Sequence, residues 1–105
     1  MRLADFVIEF LKKKKIDTVF TVSGGGSIFL CDALYKAKNI KYISCHHEQA
    51  VSFAAESYSR LKNKPGAAIV TTGPGGTNCT TGVACCWIDS VPTLFISGQV
   101  YLNQT

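Results

Sequence analysis

No run of apolar residues in this sequence approaches the roughly 20 that cross a bilayer as a helix. The opening residues, Met1-Arg2-Leu3-Ala4-Asp5, lack the hydrophobic stretch of a secretory signal. Cys-x-x-Cys is absent too, and the five cysteines are odd in number and include an adjacent pair, Cys85-Cys86, that does not bridge easily. These absences exclude a disulfide framework and lead us to expect a soluble, cytoplasmic protein with reduced thiols. No Gly-Lys-Ser/Thr triplet closes a P-loop, and neither glycine cluster completes Gly-x-Gly-x-x-Gly, since Asn78 and Phe29 stand where the third glycine belongs. Acidic residues are outnumbered, 7 against 11 basic ones, for a net charge of +4. The excess lies in Lys12-Lys13-Lys14-Lys15 and in Lys36, Lys38, Lys41, Lys62 and Lys64, at the ends and turns of expected helices, where lysine complements the helix dipole. Aromatic and basic residues do not interleave as a strand-tracking groove requires, so no nucleic-acid partner and no membrane insertion are expected.

What is present is an alternation of helix and strand. At 105 residues, 47% hydrophobic and 17% charged, the chain is one globular domain or part of one. Leu3, Phe6, Val7, Phe10 and Leu11 recur at helical spacing over residues 3–14, which predicts an amphipathic first helix with those residues on its apolar face. A strand is predicted at 17–22, then a helix that Ser27 caps and that carries Leu30, Ala33, Leu34 and Ala37. The pattern repeats as a strand at 41–45, a helix at 48–61, a strand at 67–71, a helix at 78–87 and a strand at 93–97. Crossovers of this length imply an α/β fold with a doubly wound, mostly parallel sheet and helices on both faces.

The unusual residues fall just after the strands. They are Ser23-Gly24-Gly25-Gly26-Ser27, Cys45-His46-His47-Glu48-Gln49, Thr72-Gly73-Pro74-Gly75-Gly76-Thr77-Asn78 and Ser97-Gly98-Gln99-Val100. Open parallel sheets bind ligands at this carboxyl edge. Glycine lets backbone approach a ligand closely, and a helix N-terminus offers free N–H groups to a flat heterocycle or an anion. Cys45, His46 and His47 do not make a metal site, because neighbours on a strand point to opposite faces and no second cluster has ligand spacing. Cys45, Cys79 and Cys85 have no evident base partner in the sequence and are read as structural.

Taken in order, His47-Glu48-Gln49-Ala50, Phe53-Ala54-Ala55-Glu56-Ser57-Tyr58-Ser59-Arg60, Lys64-Pro65-Gly66, Thr72-Gly73-Pro74-Gly75-Gly76-Thr77-Asn78, Thr81-Gly82-Val83-Ala84, Asp89-Ser90-Val91-Pro92 and Ile96-Ser97-Gly98-Gln99-Val100 resemble the N-terminal, pyrimidine-binding domain of thiamine diphosphate enzymes. Within that family the sequence is most similar to the acetolactate synthase group, and the resemblance runs from residue 1 to residue 105. It implies that Glu48 is catalytic: in the family this glutamate hydrogen-bonds the pyrimidine N1′ and drives the ring to its imino tautomer. Handing a proton to a weakly basic ring nitrogen favours a carboxyl in apolar surroundings, while the helix dipole favours the ionised form. The same resemblance places Gly24 and Gly25 beside the cofactor, Pro74 and Gly75 at the pyrimidine, Asn78 as a brace for its turn and Gln99 with its amide toward cofactor and substrate. Relatives often have proline where this chain has Ser23, and many have arginine where it has His46, to which no role is assigned.

The resemblance also implies parts that this sequence does not contain. The family's diphosphate and Mg2+ are held by a second domain with Gly-Asp-Gly and paired asparagines, and neither motif occurs here. The expectation is therefore a pyrimidine-binding domain, residues 1–105, incomplete at its C-terminal end and inactive alone. The complete enzyme would decarboxylate a 2-oxo acid such as pyruvate and join the product to a carbonyl acceptor as a homodimer or homotetramer. Whether FAD also binds stays open. A non-catalytic or split-enzyme partner subunit, another decarboxylase or lyase of the superfamily, and a flavodoxin-like nucleotide or phosphate binder are the alternatives.

Overall fold

A computed structural model describes residues 1–104. The elements in order are α1 (Leu3–Lys13), β1 (Thr18–Thr21), a 3-10 turn (Gly25–Ser27), α2 (Ile28–Lys36), β2 (Lys41–Ser44), α3 (Glu48–Lys62), β3 (Gly66–Val70), α4 (Pro74–Thr77), α5 (Thr80–Ile88), β4 (Thr93–Ser97) and a final 3-10 turn (Leu102–Gln104). Among the described residues the strands form one all-parallel sheet in the order β2-β1-β3-β4. In register, Thr21 lies beside Ser44 and Ile69, and Ile69 beside Ile96, so the strands end level and their following turns meet along one edge.

Strand alternation divides the core as the period of two demands. Val19, Ala67, Ile69, Leu94 and Ile96 face α1 and α2, packing with Ile8, Leu11, Ala33, Leu34 and Ile40. Phe20, Ala68, Val70 and Phe95 face the other way, onto Val51 and Ala55 of α3 and onto Cys79. Helices thus cover both faces. α3 and α5 approach closely where Gly82 meets Ser52, since any side chain on Gly82 would overlap the Ser52 hydroxyl.

Two local expectations need correction, and one helical turn was not expected. α1 buries Ala4, Ile8 and Leu11, whereas Leu3, Phe6 and Phe10 are exposed. Ala4, Ile8 and Leu11 join one core cluster with Ala33 and Leu34 of α2, and the bulkier residues form a neighbouring stripe turned to solvent. Ser27 occupies the N-cap position of α2 but caps nothing with its side chain; its hydroxyl donates back to the Gly24 carbonyl at 3.3 Å. The helix expected at 78–87 is α5, from Thr80, and it is preceded by a further single turn, α4, with Pro74 at its start. Proline fits a helix start because its fixed φ is already helical and its missing N–H is not needed there.

The amino-terminal end of the sheet is tied by charge. The Asp17 carboxylate accepts from the Tyr58 hydroxyl, from Lys64 Nζ at 2.7 Å and from Thr18 Oγ1 at 3.0 Å. These bonds join the start of β1 to the last turns of α3 and to the loop before β3. Lys64 first, then Tyr58, hold the Asp17 carboxyl well below the usual carboxylate range. A depressed folded-state pKa gives stability that is present above the unfolded value of about 3.9 and is lost as pH falls below it. Urea midpoints measured from pH 7 to pH 2 should therefore fall less steeply below about pH 4 for Asp17→Asn than for the parent chain. Parallel curves would remove the ion-pair account.

Candidate functional site

The carboxyl edge of the sheet brings the sequence-predicted residues into two groups. The first is built on α3, whose opening residue is Glu48. Its cap is His47, whose Nδ1 accepts from the Gln49 backbone N–H at 3.0 Å. That bond places the ring proton of a neutral His47 on Nε2 and satisfies a helix N-terminal donor with a neutral acceptor. Glu48 itself is half-buried. Asn78 Nδ2 donates to Glu48 Oε2 at 3.3 Å, so Asn78 steadies the carboxylate directly in addition to ending α4. The other oxygen, Oε1, lies on the Gly75 side, 3.7 Å from where a Gly75 side chain would begin. Cys79 Sγ reaches the Glu48 carbonyl oxygen at 3.6 Å. Burial, aided by the Glu48 charge, pushes the Cys79 thiol up, and burial does the same to Cys45; thiols held protonated are poor nucleophiles.

The second group lines a cleft of about 520 Å³ between Gly25, Gly26, Phe29, Gln99, Val100 and Tyr101. Gly25 presents bare backbone, with no atom within 4 Å of the place its side chain would take. The Gln99 side-chain amide oxygen, Oε1, accepts from Thr72 Oγ1 at 3.3 Å and from the Val100 N–H at 2.9 Å. Gln99 is thus anchored to the turn that bears Pro74. Gly73 adopts φ +61° at the start of that turn, a left-handed conformation that favours glycine. His46 is exposed, and among the described residues no group of His, Cys, Asp or Glu is placed to hold a metal ion.

Sequence reasoning missed Thr71, which joins the groups. Its hydroxyl accepts from the Gly26 N–H at 2.9 Å, and its carbonyl accepts from Ser97 Oγ at 3.0 Å. It also missed His47 as a cap, because an imidazole is outside the usual set of Ser, Thr, Asp and Asn.

These residues suit an aminopyrimidine. A carboxyl with one oxygen steadied by an amide and the other turned to a side chain-free glycine can meet a ring nitrogen edge-on, and bare glycine backbone admits a flat ring. Fold and site together are those of an α/β domain with a ligand cleft at the carboxyl edge of its sheet. The profile "Thiamine pyrophosphate enzyme, N-terminal TPP binding domain" matches residues 1–105, and the chain belongs to that family. It is 43% identical over 97 residues to the chloroplastic acetolactate synthase of Arabidopsis thaliana, covering 92% of this chain and 14% of that protein. It is 40% identical over 100 residues to the acetolactate synthase isozyme 2 large subunit of Escherichia coli, covering 95% and 18%. With the acetolactate synthase large subunit of Lactococcus lactis it shares 38% over 97 residues, covering 92% and 17%. The chain therefore spans less than a fifth of the length of these relatives.

Proposed function

We propose that residues 1–105 form the pyrimidine-binding half of the active site of an acetolactate synthase-like enzyme. The observation that carries this reading is Glu48 at the head of α3, with Oε2 held by Asn78 and Oε1 turned to Gly75. When bound, thiamine diphosphate supplies the nucleophilic carbon and the electron sink that 2-oxo acid decarboxylation needs. Glu48 holds or releases the proton at Oε1 for the ring nitrogen. Asn78 keeps the carboxylate from turning away, Gly75 and Pro74 border the ring, and Gly24, Gly25 and Gln99 shape the adjoining wall. The diphosphate and its Mg2+ fall to a Gly-Asp-Gly domain outside these residues, so the 105-residue segment binds the cofactor weakly and turns nothing over alone. Pyruvate is the proposed donor, a second carbonyl compound the acceptor, and a dimer or tetramer the assembly.

The test uses the native-length polypeptide that carries residues 1–105. It is titrated with thiamine diphosphate and Mg2+ and then given pyruvate, with CO2 release and carbon–carbon bond formation followed by mass spectrometry. Saturable binding with both products is the expected result. Binding without turnover would point to a non-catalytic partner subunit, and binding of another phosphate compound in place of thiamine diphosphate would overturn the reading.

A further inference from the structure

Thr71 follows β3 and touches three of the turns at the carboxyl edge. A side chain on Gly24 would stand 2.6 Å from Thr71 Cβ and 2.7 Å from its Cγ2 methyl, and one on Gly75 would stand 2.6 Å from the same methyl. The Gly26 N–H donates to Thr71 Oγ1 at 2.9 Å, and Ser97 at the end of β4 donates to the Thr71 carbonyl at 3.0 Å. One half-buried side chain thus uses its methyl as a spacer between two glycine turns and its hydroxyl as an anchor for one of them. Gly75, pressed on Thr71 from one side, looks toward Glu48 Oε1 on the other. Gly25, next to the anchored Gly26, lines the adjoining cleft. The two groups of candidate residues are therefore set apart at a distance fixed by Thr71, although Thr71 itself makes no contact with Glu48 among its recorded hydrogen bonds.

We infer that Thr71 is a positioning residue: its methyl and hydroxyl hold the Gly24–Gly26 turn and the Pro74–Gly75 turn at the separation that a flat cofactor ring requires. The inference rests on the functional reading above. Threonine suits the task because both halves of the side chain are used. Serine would keep the anchor and lose the spacer, and valine would keep the spacer and leave the Gly26 N–H facing a methyl group. An unsatisfied donor of that kind is the more costly change.

The experiment compares Thr71→Val and Ser59→Ala in the native-length polypeptide, by calorimetric titration with thiamine diphosphate and Mg2+ and by thermal unfolding. Ser59 is a matched control. Its buried hydroxyl serves Ala55, Gly66 and Thr93 at the opposite end of the sheet. Thr71→Val should weaken cofactor binding about tenfold or more, while Ser59→Ala lowers the melting temperature with affinity unchanged. Equal affinities for Thr71→Val and the parent, or equal losses for both variants, would overturn the role of Thr71 and leave the functional reading standing. Absence of binding by the parent would overturn both. Should Thr71→Val not fold, Thr71→Ser decides the question: it keeps the hydroxyl that anchors Gly26 and removes only the Cγ2 spacer, so affinity should fall several-fold while the melting temperature moves no more than that of Ser59→Ala. Parent-like affinity in Thr71→Ser would overturn the inference.

Discussion

Replacing Glu48 with glutamine is expected to lower turnover of the native-length enzyme by about 10²- to 10⁴-fold, the range of a lost general acid–base group. Folding should be nearly untouched. Glutamine has the same length, its amide oxygen can still accept from Asn78, and the position is only half-buried with one 3.3 Å bond to preserve. The amide NH2 would then stand where Oε1 stands, able to donate to a ring nitrogen but unable to give up a proton to it. Cofactor affinity should accordingly change much less than kcat. The check is steady-state turnover of pyruvate beside a cofactor titration and a melting curve for both proteins. Turnover within a few-fold of the parent, with the fold intact, would sink the assignment of Glu48.

The second large effect separates folding from binding by moving one methyl group between two glycines. A side chain on Gly98 would overlap the Gly26 carbonyl oxygen and come within 2.5 Å of its carbon and 2.9 Å of the Ser27 nitrogen. All of these are backbone atoms of a turn already pinned by Thr71, so neither side yields easily. Gly98→Ala should destabilise by about 1–3 kcal/mol or more, as overpacked cores do. For a domain of this size each 1 kcal/mol lowers the melting temperature by roughly 4–8 °C. Gly25→Ala adds the same methyl where nothing lies within 4 Å, and the melting temperature should stay within the small range of surface substitutions, about ±0.5 kcal/mol. Cofactor affinity should nevertheless fall, because that open space is where the ring wall is proposed. Melting curves and titrations of the two variants decide it. A stable Gly98→Ala, or a Gly25→Ala that binds as the parent does, contradicts the arrangement.

Much of this architecture could be read from residue order, and the reasons are specific. β4 was expected at 93–97 and occupies those residues, because Pro92 before it and Gly98 after it punctuate an apolar run. The helix headed by Glu48 was likewise expected, since Val51, Ala54, Ala55 and Tyr58 follow the polar turn at helical spacing. α1 was misread because it carries two apolar stripes. Periodicity marks where hydrophobic residues recur, but choosing between Ala4-Ile8-Leu11 and Leu3-Phe6-Phe10 takes the partner surface itself, the core cluster that includes Ala33 and Leu34 of α2. α4 was missed although Pro74 is a helix-start residue, because Gly75 and Gly76 read as loop. The family resemblance singled out Glu48, Gly75 and Asn78, with Asn78 as a brace for its own turn, and did not foresee its bond to the Glu48 carboxylate. It gave no hint of Thr71, which looks in sequence like an ordinary strand residue and gains its importance only from three glycines converging on it from two separate turns.

That convergence limits the order in which the sequence can drift. Gly24 and Gly75 each exclude a side chain through the same Thr71 methyl. An alanine arising at either glycine is harmful while threonine remains, and becomes tolerable at Gly75 once residue 71 has shortened. Substitutions at residues 71 and 75 are therefore contingent on one another, since the same change is rejected on one ancestral background and accepted on another, whereas Gly24 meets the Thr71 Cβ itself and stays closed to a side chain on either.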